Sequence, residues 1–181
     1  GLLLTSCATA GSGDFSRGNP YGAPRPYGLH PGIDFMVDIG TPIIAAADGA
    51  VTSTRNNDGP QPWQGGFIVH MSHGEHFDSV YMHLTQIDVQ PGQSLRRGQL
   101  IGLSGASNSG HAHLHFGIRR KGGNCFDHTQ THDPDKFWLG DTPRCYEPRT
   151  DYSGRSAREL TLPVACGQYA KELLARAKRK V

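Results

Sequence analysis

The stretch "GGFIVHMSHGEHFDSVYMHL", residues 65–84, contains two apolar runs separated by a turn centred on Gly74. Short runs rich in Val, Phe and Tyr on either side of a glycine turn predict a β-hairpin. Similar runs follow one another over residues 27–120, with turn residues and no helical periodicity between them. We therefore predict a mostly β protein with an antiparallel β-sheet core.

Segments on both sides of this hairpin complete the predicted architecture. The segment "TPIIAAADGAVTST", residues 41–54, predicts two strands joined as a hairpin at Asp48-Gly49. Residues 121–152 are rich in polar and turn residues and predict a loop-rich extension. The segment "GQYAKELLARAKRK", residues 167–180, predicts a short C-terminal amphipathic helix.

Composition and charge narrow the possible functions. The chain has 181 residues, enough for one domain with tails, and a formal charge of +2. Residues 149–181 carry 8 Lys and Arg against 3 Asp and Glu, a net charge of +5, which predicts a basic C-terminal segment. The glycine-rich "GQLIGLSG", residues 98–105, lacks the Lys and the following helix of a phosphate-binding loop. We therefore exclude nucleotide binding and expect no nucleic-acid partner.

The N-terminal stretch "GLLLTSCATAGSG", residues 1–13, resembles the end of a bacterial lipoprotein signal with Cys7 as the lipidated residue. It predicts a lipid anchor and a cell-envelope location, periplasmic and attached to the outer membrane. The alternative is an ordinary N-terminal segment with an incidental cysteine. An oxidising compartment favours a disulfide, for which Cys125 with Cys145 is the expected pair and Cys145 with Cys166 the alternative.

The stretch "SGHAHLHFGIRR", residues 109–120, places histidines inside a predicted strand. Side chains alternate across a strand, so His113 and His115 project to the same side, about 7 Å apart along the backbone. Leu114, Phe116 and Ile118 alternate with them and belong to the opposite, core face. Imidazoles that converge on one surface indicate a metal site, a proton-transfer site, or both.

A second pair of ligand-type residues occurs in "YGLHPGIDF", residues 27–35. On a straight strand His30 and Asp34 would lie about 13 Å apart. The intervening Pro31-Gly32 favours a tight turn that can fold His30 back toward Asp34. Together with the His-x-His strand, this pair gives two imidazoles and a carboxylate. Zinc sites with three protein ligands keep a coordination position for water.

A further histidine, His83, lies in the "VYMHL" segment. Tyr81 and His83 are predicted to share one face of their strand, because they are two residues apart. Neither is needed to complete the set of zinc ligands. A histidine beside such a set suits proton transfer or hydrogen bonding to a developing oxyanion.

Five motifs in a fixed order resemble those of one known family. These motifs are "HPGIDF", "TPIIAAADGAV", "YMHL", "PGQSLRRGQLIGLSG" and "HLHFGI". Their order is similar to that of the lysostaphin/LytM-like zinc metalloendopeptidases, which cleave stem peptides or cross-bridges of peptidoglycan. The resemblance implies a barrel-sandwich hybrid, or duplicated hybrid motif, fold. It also implies Zn²⁺ as cofactor and peptidoglycan as substrate.

The resemblance assigns roles residue by residue. It implies that His30, Asp34 and His115 bind zinc and that His83 and His113 are catalytic. His111 precedes the His-x-His pair where the family commonly has a small residue, and we expect it to be a surface loop residue. Some family members have a tyrosine upstream of the first zinc ligand. Tyr21 and Tyr27 both lie at a suitable distance in the sequence, and we assign the role to neither.

The domain organisation follows from these assignments. Residues 1–25 are expected to be a lipoprotein-signal remnant and flexible linker, residues 26–140 a zinc metallopeptidase domain, and residues 141–181 a basic extension with a short helix. Two other functions stay open. One is a catalytically inactive regulator that activates a cell-wall amidase or joins a divisome partner, and the other is a peptidoglycan-binding module.

Overall fold

The computed structural model describes residues 15–56 and 66–178. This part of the chain forms short strands and one α-helix, with three 3₁₀ turns near the C-terminal side. The strands are β1 (Ser16–Arg17), β2 (Pro24–Arg25), β3 (Gly28–Leu29), β4 (Ile33–Met36), β5 (Pro42–Ile44), β6 (Gly49–Asn56), β7 (Phe67–Ser72), β8 (Phe77–Ile87), β9 (Ser94–Leu95), β10 (Leu100–Ser104), β11 (Leu114–Arg120) and β12 (Thr131–His132). The helix, α1, spans Gly167–Lys178.

The strands form one large antiparallel sheet. Its main order is β1-β4-β11-β8-β7-β6-β9, while β10 pairs with β5 and β8, and β12 pairs with β11. β2 and β3 form a separate two-stranded hairpin. The predicted hairpin around Gly74 is present as β7 and β8, with Gly74 at a φ of 95°. The mostly β fold with a short C-terminal helix is thereby confirmed.

The hairpin predicted at Asp48-Gly49 is wrong. β5 pairs with β10, whereas β6 pairs with β7 and β9, so the chain crosses from one part of the sheet to another at this point. Asp48 is held there by long-range contacts, because its carboxylate accepts the Arg97 backbone N–H at 2.8 Å and its carbonyl oxygen accepts a hydrogen bond from His73 Nδ1 at 2.7 Å. These distant partners override the local turn signal.

The core lies on one face of β11 and the strands beside it. Leu114, Phe116 and Ile118 are fully buried in the main hydrophobic cluster, as their alternation predicts. Tyr81 of β8 packs against Phe116 with ring centroids 5.3 Å apart. His115 lies between two of these core residues in sequence and therefore projects to the other face. The alternation along β11 thus separates the core from the candidate site.

The segment after β12 packs back onto the sheet. Trp138 and Leu160 form an isolated bridge and are both buried, and Val164 forms another with Ile43 of β5. In α1, the buried Leu173 packs in a small cluster with Ile44. The residues beyond the main sheet therefore bury part of their apolar surface against β5.

The expected Cys125–Cys145 disulfide is wrong, and the alternative pairing is present. Cys145 and Cys166 form the disulfide, with Cα atoms 5.9 Å apart, inside the usual range for a disulfide. Cys125 is a buried free thiol packed with Ile68, Val80 and other apolar residues. Its place against the sheet keeps it away from the segment that contains the other two cysteines.

The predicted lipid anchor at Cys7 lies outside the residues that the structure describes. Within residues 15–56 and 66–178, no helix has both the length and the apolar character needed to cross a membrane. The anchor and the envelope location stay predictions of the sequence.

Candidate active site

Three predicted metal ligands meet near the first residues of β4 and of β11. Asp34 and His115 are directly paired across these two antiparallel strands, and His30 lies just before β4. His30 Nε2 lies 3.2 Å from Asp34 Oδ1, His115 Nδ1 lies 3.1 Å from the same oxygen, and the two nitrogens are 2.9 Å apart. All three side chains are buried. Among the described residues, they form the one group of three with the spacing of a metal site.

This triangle of donor atoms fits a small tetrahedral cation. Zinc ligands lie about 2.0–2.1 Å from the metal, which in tetrahedral geometry puts neighbouring donor atoms about 3.3 Å apart. The observed separations are close to that value. His30 Nδ1 donates a hydrogen bond to the Pro20 carbonyl oxygen at 2.9 Å, which leaves the Nε2 lone pair free. Two imidazoles and one carboxylate are donors that zinc accepts.

Electrostatics keep Asp34 and His115 in forms that can bind a metal. Burial opposes the charged form of Asp34, but hydrogen bonds and charges from His115 and His30 outweigh it and hold the Asp34 pKa well below its usual range. Burial lowers the pKa of His115 to about 4, although the Asp34 carboxylate acts in the opposite direction. At neutral pH the site therefore offers an ionised carboxylate and a neutral imidazole.

The other oxygen of Asp34 is held from outside the triangle. Asp34 Oδ2 accepts a hydrogen bond from Arg25 Nη2 at 2.7 Å, and Asn19 Nδ2 lies 3.4 Å from it. The carboxylate thus divides its two oxygens, one toward the imidazoles and one toward Arg25. Such outer contacts fix the orientation of a metal-binding side chain.

Gly32 makes the close approach of His30, Asp34 and His115 possible. A Cβ atom at this position would lie 2.5 Å from the Phe116 carbonyl oxygen and 2.7 Å from His115 Nε2. Any side chain would therefore push the strand or the imidazole aside. Pro31-Gly32 form a bend and not the predicted tight turn, but His30 Nε2 still comes to 3.2 Å from Asp34 Oδ1.

We expect Gly32→Ala to weaken zinc binding by about 10- to 100-fold, because the added methyl displaces the His115 ring or the Phe116 backbone next to it. The measurement is a competition titration with a chromogenic chelator. Gly117→Ala is the matched control, since a Cβ there lies at ordinary contact distances of 3.5 Å and more. Equal zinc affinities for the two variants would contradict the positioning role of Gly32.

His83 reaches the site through a bulge in β8. Its φ is 64°, in the left-handed region that a non-glycine residue seldom adopts. The pairing of β7 with β8 shifts register at this point, between Phe67 and Val69. The prediction that Tyr81 and His83 share a face is wrong for this reason. Tyr81 packs in the core, whereas the His83 ring lies 6.2 Å from that of His115.

The His83 imidazole has a defined orientation. Its Nδ1 donates a hydrogen bond to the Ser107 carbonyl oxygen at 2.8 Å, so Nε2 is the nitrogen left for chemistry. Burial, together with the neighbouring imidazoles of His113 and His115, lowers the pKa of His83 to about 3. The ring is therefore neutral at neutral pH, and its Nε2 atom has a free lone pair.

His113 lies beside His83 at the edge of the ligand set. Their ring centroids are 4.5 Å apart, and His113 Nε2 lies 3.7 Å from Asp34 Oδ1. His113 Nδ1 donates to the His111 carbonyl oxygen at 3.1 Å, and burial lowers the His113 pKa. The His111 ring stacks on that of His113 at 4.4 Å. The structure therefore brings together all five residues that the sequence selected.

A cavity of about 290 Å³ opens next to these residues. Its walls are largely apolar and include several side chains of the β2–β3 hairpin. The lining residues are Arg25, Pro26, Tyr27, Gly28, Leu29, Pro31, Met82, His83, His115 and Phe126. Of the two tyrosines left unassigned, Tyr27 lines this cavity, whereas the Tyr21 hydroxyl lies 3.1 Å from the Thr131 carbonyl oxygen. The cavity is large enough for part of a peptide.

Sequence reasoning missed three residues that hold this site. Arg25 and Asn19 contact Asp34, and the Pro20 carbonyl oxygen fixes His30. All three lie in a stretch rich in Gly and Pro that the sequence predicts as a linker. The signal available was the cluster of polar residues in "RGNPYGAPR", residues 17–25, shortly before the first ligand.

A family model confirms the resemblance. The model of peptidase family M23 matches residues 28–127, more than half of the chain. The chain belongs to this family. The match includes each of the five site residues of this M23 domain, and the extension that contains the disulfide follows it.

Curated relatives of this M23 chain include enzymes whose names state different substrates. It is 42% identical over 96 residues to peptidoglycan DD-endopeptidase ShyA of Vibrio cholerae serotype O1. It is 33% identical over 131 residues to glycyl-glycine endopeptidase ALE-1 of Staphylococcus capitis. These alignments cover 51% and 68% of the chain but only 21% and 34% of the two relatives. The chain thus spans about a fifth to a third of their length.

Solved structures show the same M23 fold. The catalytic domain of lysostaphin from Staphylococcus simulans is 30% identical with a TM-score of 0.58, covering 66% of this chain and 89% of that one. LytU is 30% identical with a TM-score of 0.57, covering 71% and 86%. A zinc-containing peptidase from Vibrio cholerae is 27% identical with a TM-score of 0.54, covering 65% and 35%. The M23 chain is therefore homologous to lysostaphin/LytM-type peptidoglycan endopeptidases.

Proposed function

We propose that this protein is a zinc-dependent endopeptidase that hydrolyses amide bonds in peptidoglycan stem peptides or cross-links. The observation that supports this most directly is the triangle of His30, Asp34 and His115 donor atoms, with two further histidines beside it. A regulator without activity would not need all five side chains in this arrangement. Homology to enzymes that cut peptidoglycan supports the substrate class.

The site residues have two roles in hydrolysis, metal binding and proton transfer. His30, Asp34 and His115 hold zinc, which when bound supplies a Lewis acid that lowers the pKa of water toward about 7 and polarises the scissile carbonyl. His83 and His113 each donate Nδ1–H to a backbone carbonyl oxygen, so Nε2 is their reactive atom. The Nε2 atom of one of these imidazoles accepts a proton from the attacking water, and the same imidazolium then gives that proton to the leaving amine.

The experiment incubates purified sacculi with the zinc-loaded protein, with and without a chelator. We expect release of soluble muropeptides that the chelator abolishes and added zinc restores. Mass analysis of the products identifies the bond, since an endopeptidase converts cross-linked dimers to monomers. Binding to sacculi without release of muropeptides, or release that the chelator does not change, would contradict the proposal. The former result would favour a binding module or a regulator.

Peptidoglycan belongs to the cell envelope, so the proposed substrate agrees with the envelope location predicted from the sequence. The lipid anchor at Cys7 and a partner such as a cell-wall amidase stay predictions. Labelling cells with a clickable fatty acid tests the anchor, and an unlabelled full-length protein would exclude it.

A further inference from the structure

Arg25 occupies an unusual position between a metal ligand and the cavity. It belongs to the short strand β2, lines the cavity and contacts Asp34 Oδ2 through Nη2 at 2.7 Å. The Asp34 side chain is 2% exposed, whereas that of Arg25 is 37% exposed. One end of the guanidinium is therefore anchored at the site, and the rest of it faces solvent and the cavity.

The Arg25 guanidinium has N–H donors that do not contact Asp34. Arginine carries five N–H donors in a planar fork, which matches the two oxygens of a carboxylate. Within residues 15–56 and 66–178, the Arg25 side chain makes one hydrogen bond, which is also its one ion pair. It joins Nη2 to Asp34 Oδ2. The Nε and Nη1 donors are thus free to bind another acceptor in the cavity.

Arg25 also sets the charge of the cavity. Of the described residues that line it, Arg25 is the one with a permanent charge, and most of the others are apolar or aromatic. An anionic group entering this cavity would meet an oriented cation with few competing acceptors.

We infer that Arg25 forms a carboxylate-binding subsite that selects substrates with a free carboxylate next to the scissile amide. In a diaminopimelate cross-link the carbon attached to the cross-linking nitrogen carries such a carboxylate, whereas a glycine bridge has none. The family match does not decide between these substrates, since the chain resembles both a DD-endopeptidase and a glycyl-glycine endopeptidase. The inference rests on the proposed function for the identity of the scissile bond.

The test uses two synthetic cross-linked stem-peptide dimers that differ at one group, the diaminopimelate carboxylate beside the scissile amide or its carboxamide. Cleavage is measured with the zinc-loaded protein, and binding with zinc-loaded His113→Ala protein by calorimetry. We expect a preference for the carboxylate of about 10- to 100-fold in kcat/KM and in Kd, the range for a charge-assisted hydrogen bond. Arg25→Gln is expected to bring both ratios close to one, and Arg25→Lys to an intermediate value.

Arg96→Gln is the matched control, because Arg96 is exposed and lies outside the cavity. It removes the same charge and is expected to keep the preference. If Arg25→Gln lowered kcat/KM and affinity equally for both peptides, Arg25 would act only by holding Asp34. That result would overturn the subsite.

The two proposals fail in different ways. If neither peptide is cleaved but the binding preference exists and is lost in Arg25→Gln, the hydrolase is wrong and the subsite stands. If both peptides are cleaved without preference, the hydrolase stands and the subsite is wrong. If neither peptide binds, the subsite is overturned.

Discussion

His113→Ala is expected to bind zinc normally and to lower kcat on sacculi by about 10²- to 10⁴-fold. The reason is geometric, because His113 lies beside the ligand set without completing it. Its Nε2 is 3.7 Å from Asp34 Oδ1, farther than the 3.1–3.2 Å that separate this oxygen from the two ligand imidazoles. Removal of the ring thus takes away a proton-transfer group and leaves the metal donors in place.

The measurements are zinc content after gel filtration and the rate of muropeptide release. His76→Ala is the control, since His76 is exposed and remote from the ligands in sequence. His113→Gln provides a second variant that keeps most of the side-chain volume against His83. A His113→Ala protein with wild-type turnover, or one that loses zinc, would contradict the role given to His113.

Much of this site follows from local sequence patterns. The alternation of Leu114 and Phe116 with His115 settles which face of β11 enters the core, since a strand has only two faces. The bend at Pro31-Gly32 likewise explains how His30 approaches Asp34, because the residues involved are neighbours in the chain. The direct pairing of Asp34 with His115 across β4 and β11 is not local. The family resemblance implied only that these two residues bind the same zinc ion, and their pairing across the two strands was not predicted.

The errors of the sequence-based prediction share a physical cause. The bulge at His83 turns its side chain away from the face of Tyr81, and this bulge depends on the register of β7 against β8. The Cys145–Cys166 disulfide depends on how the residues after β12 fold back on the sheet. Arg25 reaches Asp34 through the β2–β3 hairpin in a stretch whose composition predicts a linker. Each outcome depends on long-range packing, which local propensity does not encode.

Asp34→Ala is expected to have the largest effect, a loss of zinc and of all metal-dependent turnover. The carboxylate is the one anionic member of the ligand set, and Arg25 and two imidazoles are arranged around it. Without it, two imidazoles must hold a divalent cation beside an unpaired guanidinium. Removing one partner of a buried charged group costs about 3–5 kcal/mol, so zinc affinity should fall by about 10²- to 10⁴-fold.

Competition with a chromogenic chelator measures this affinity, and an unfolding curve of the metal-free proteins separates it from stability. Asp34→Asn keeps the shape of the side chain and removes only its charge, so it should lose zinc while remaining folded. Asp38→Ala is the control, because Asp38 is an exposed carboxylate in the same segment. If Asp34→Asn retained stoichiometric zinc at wild-type affinity, the cation would not be bound by this carboxylate, and the assignment of His30 and His115 as its partners would fall with it.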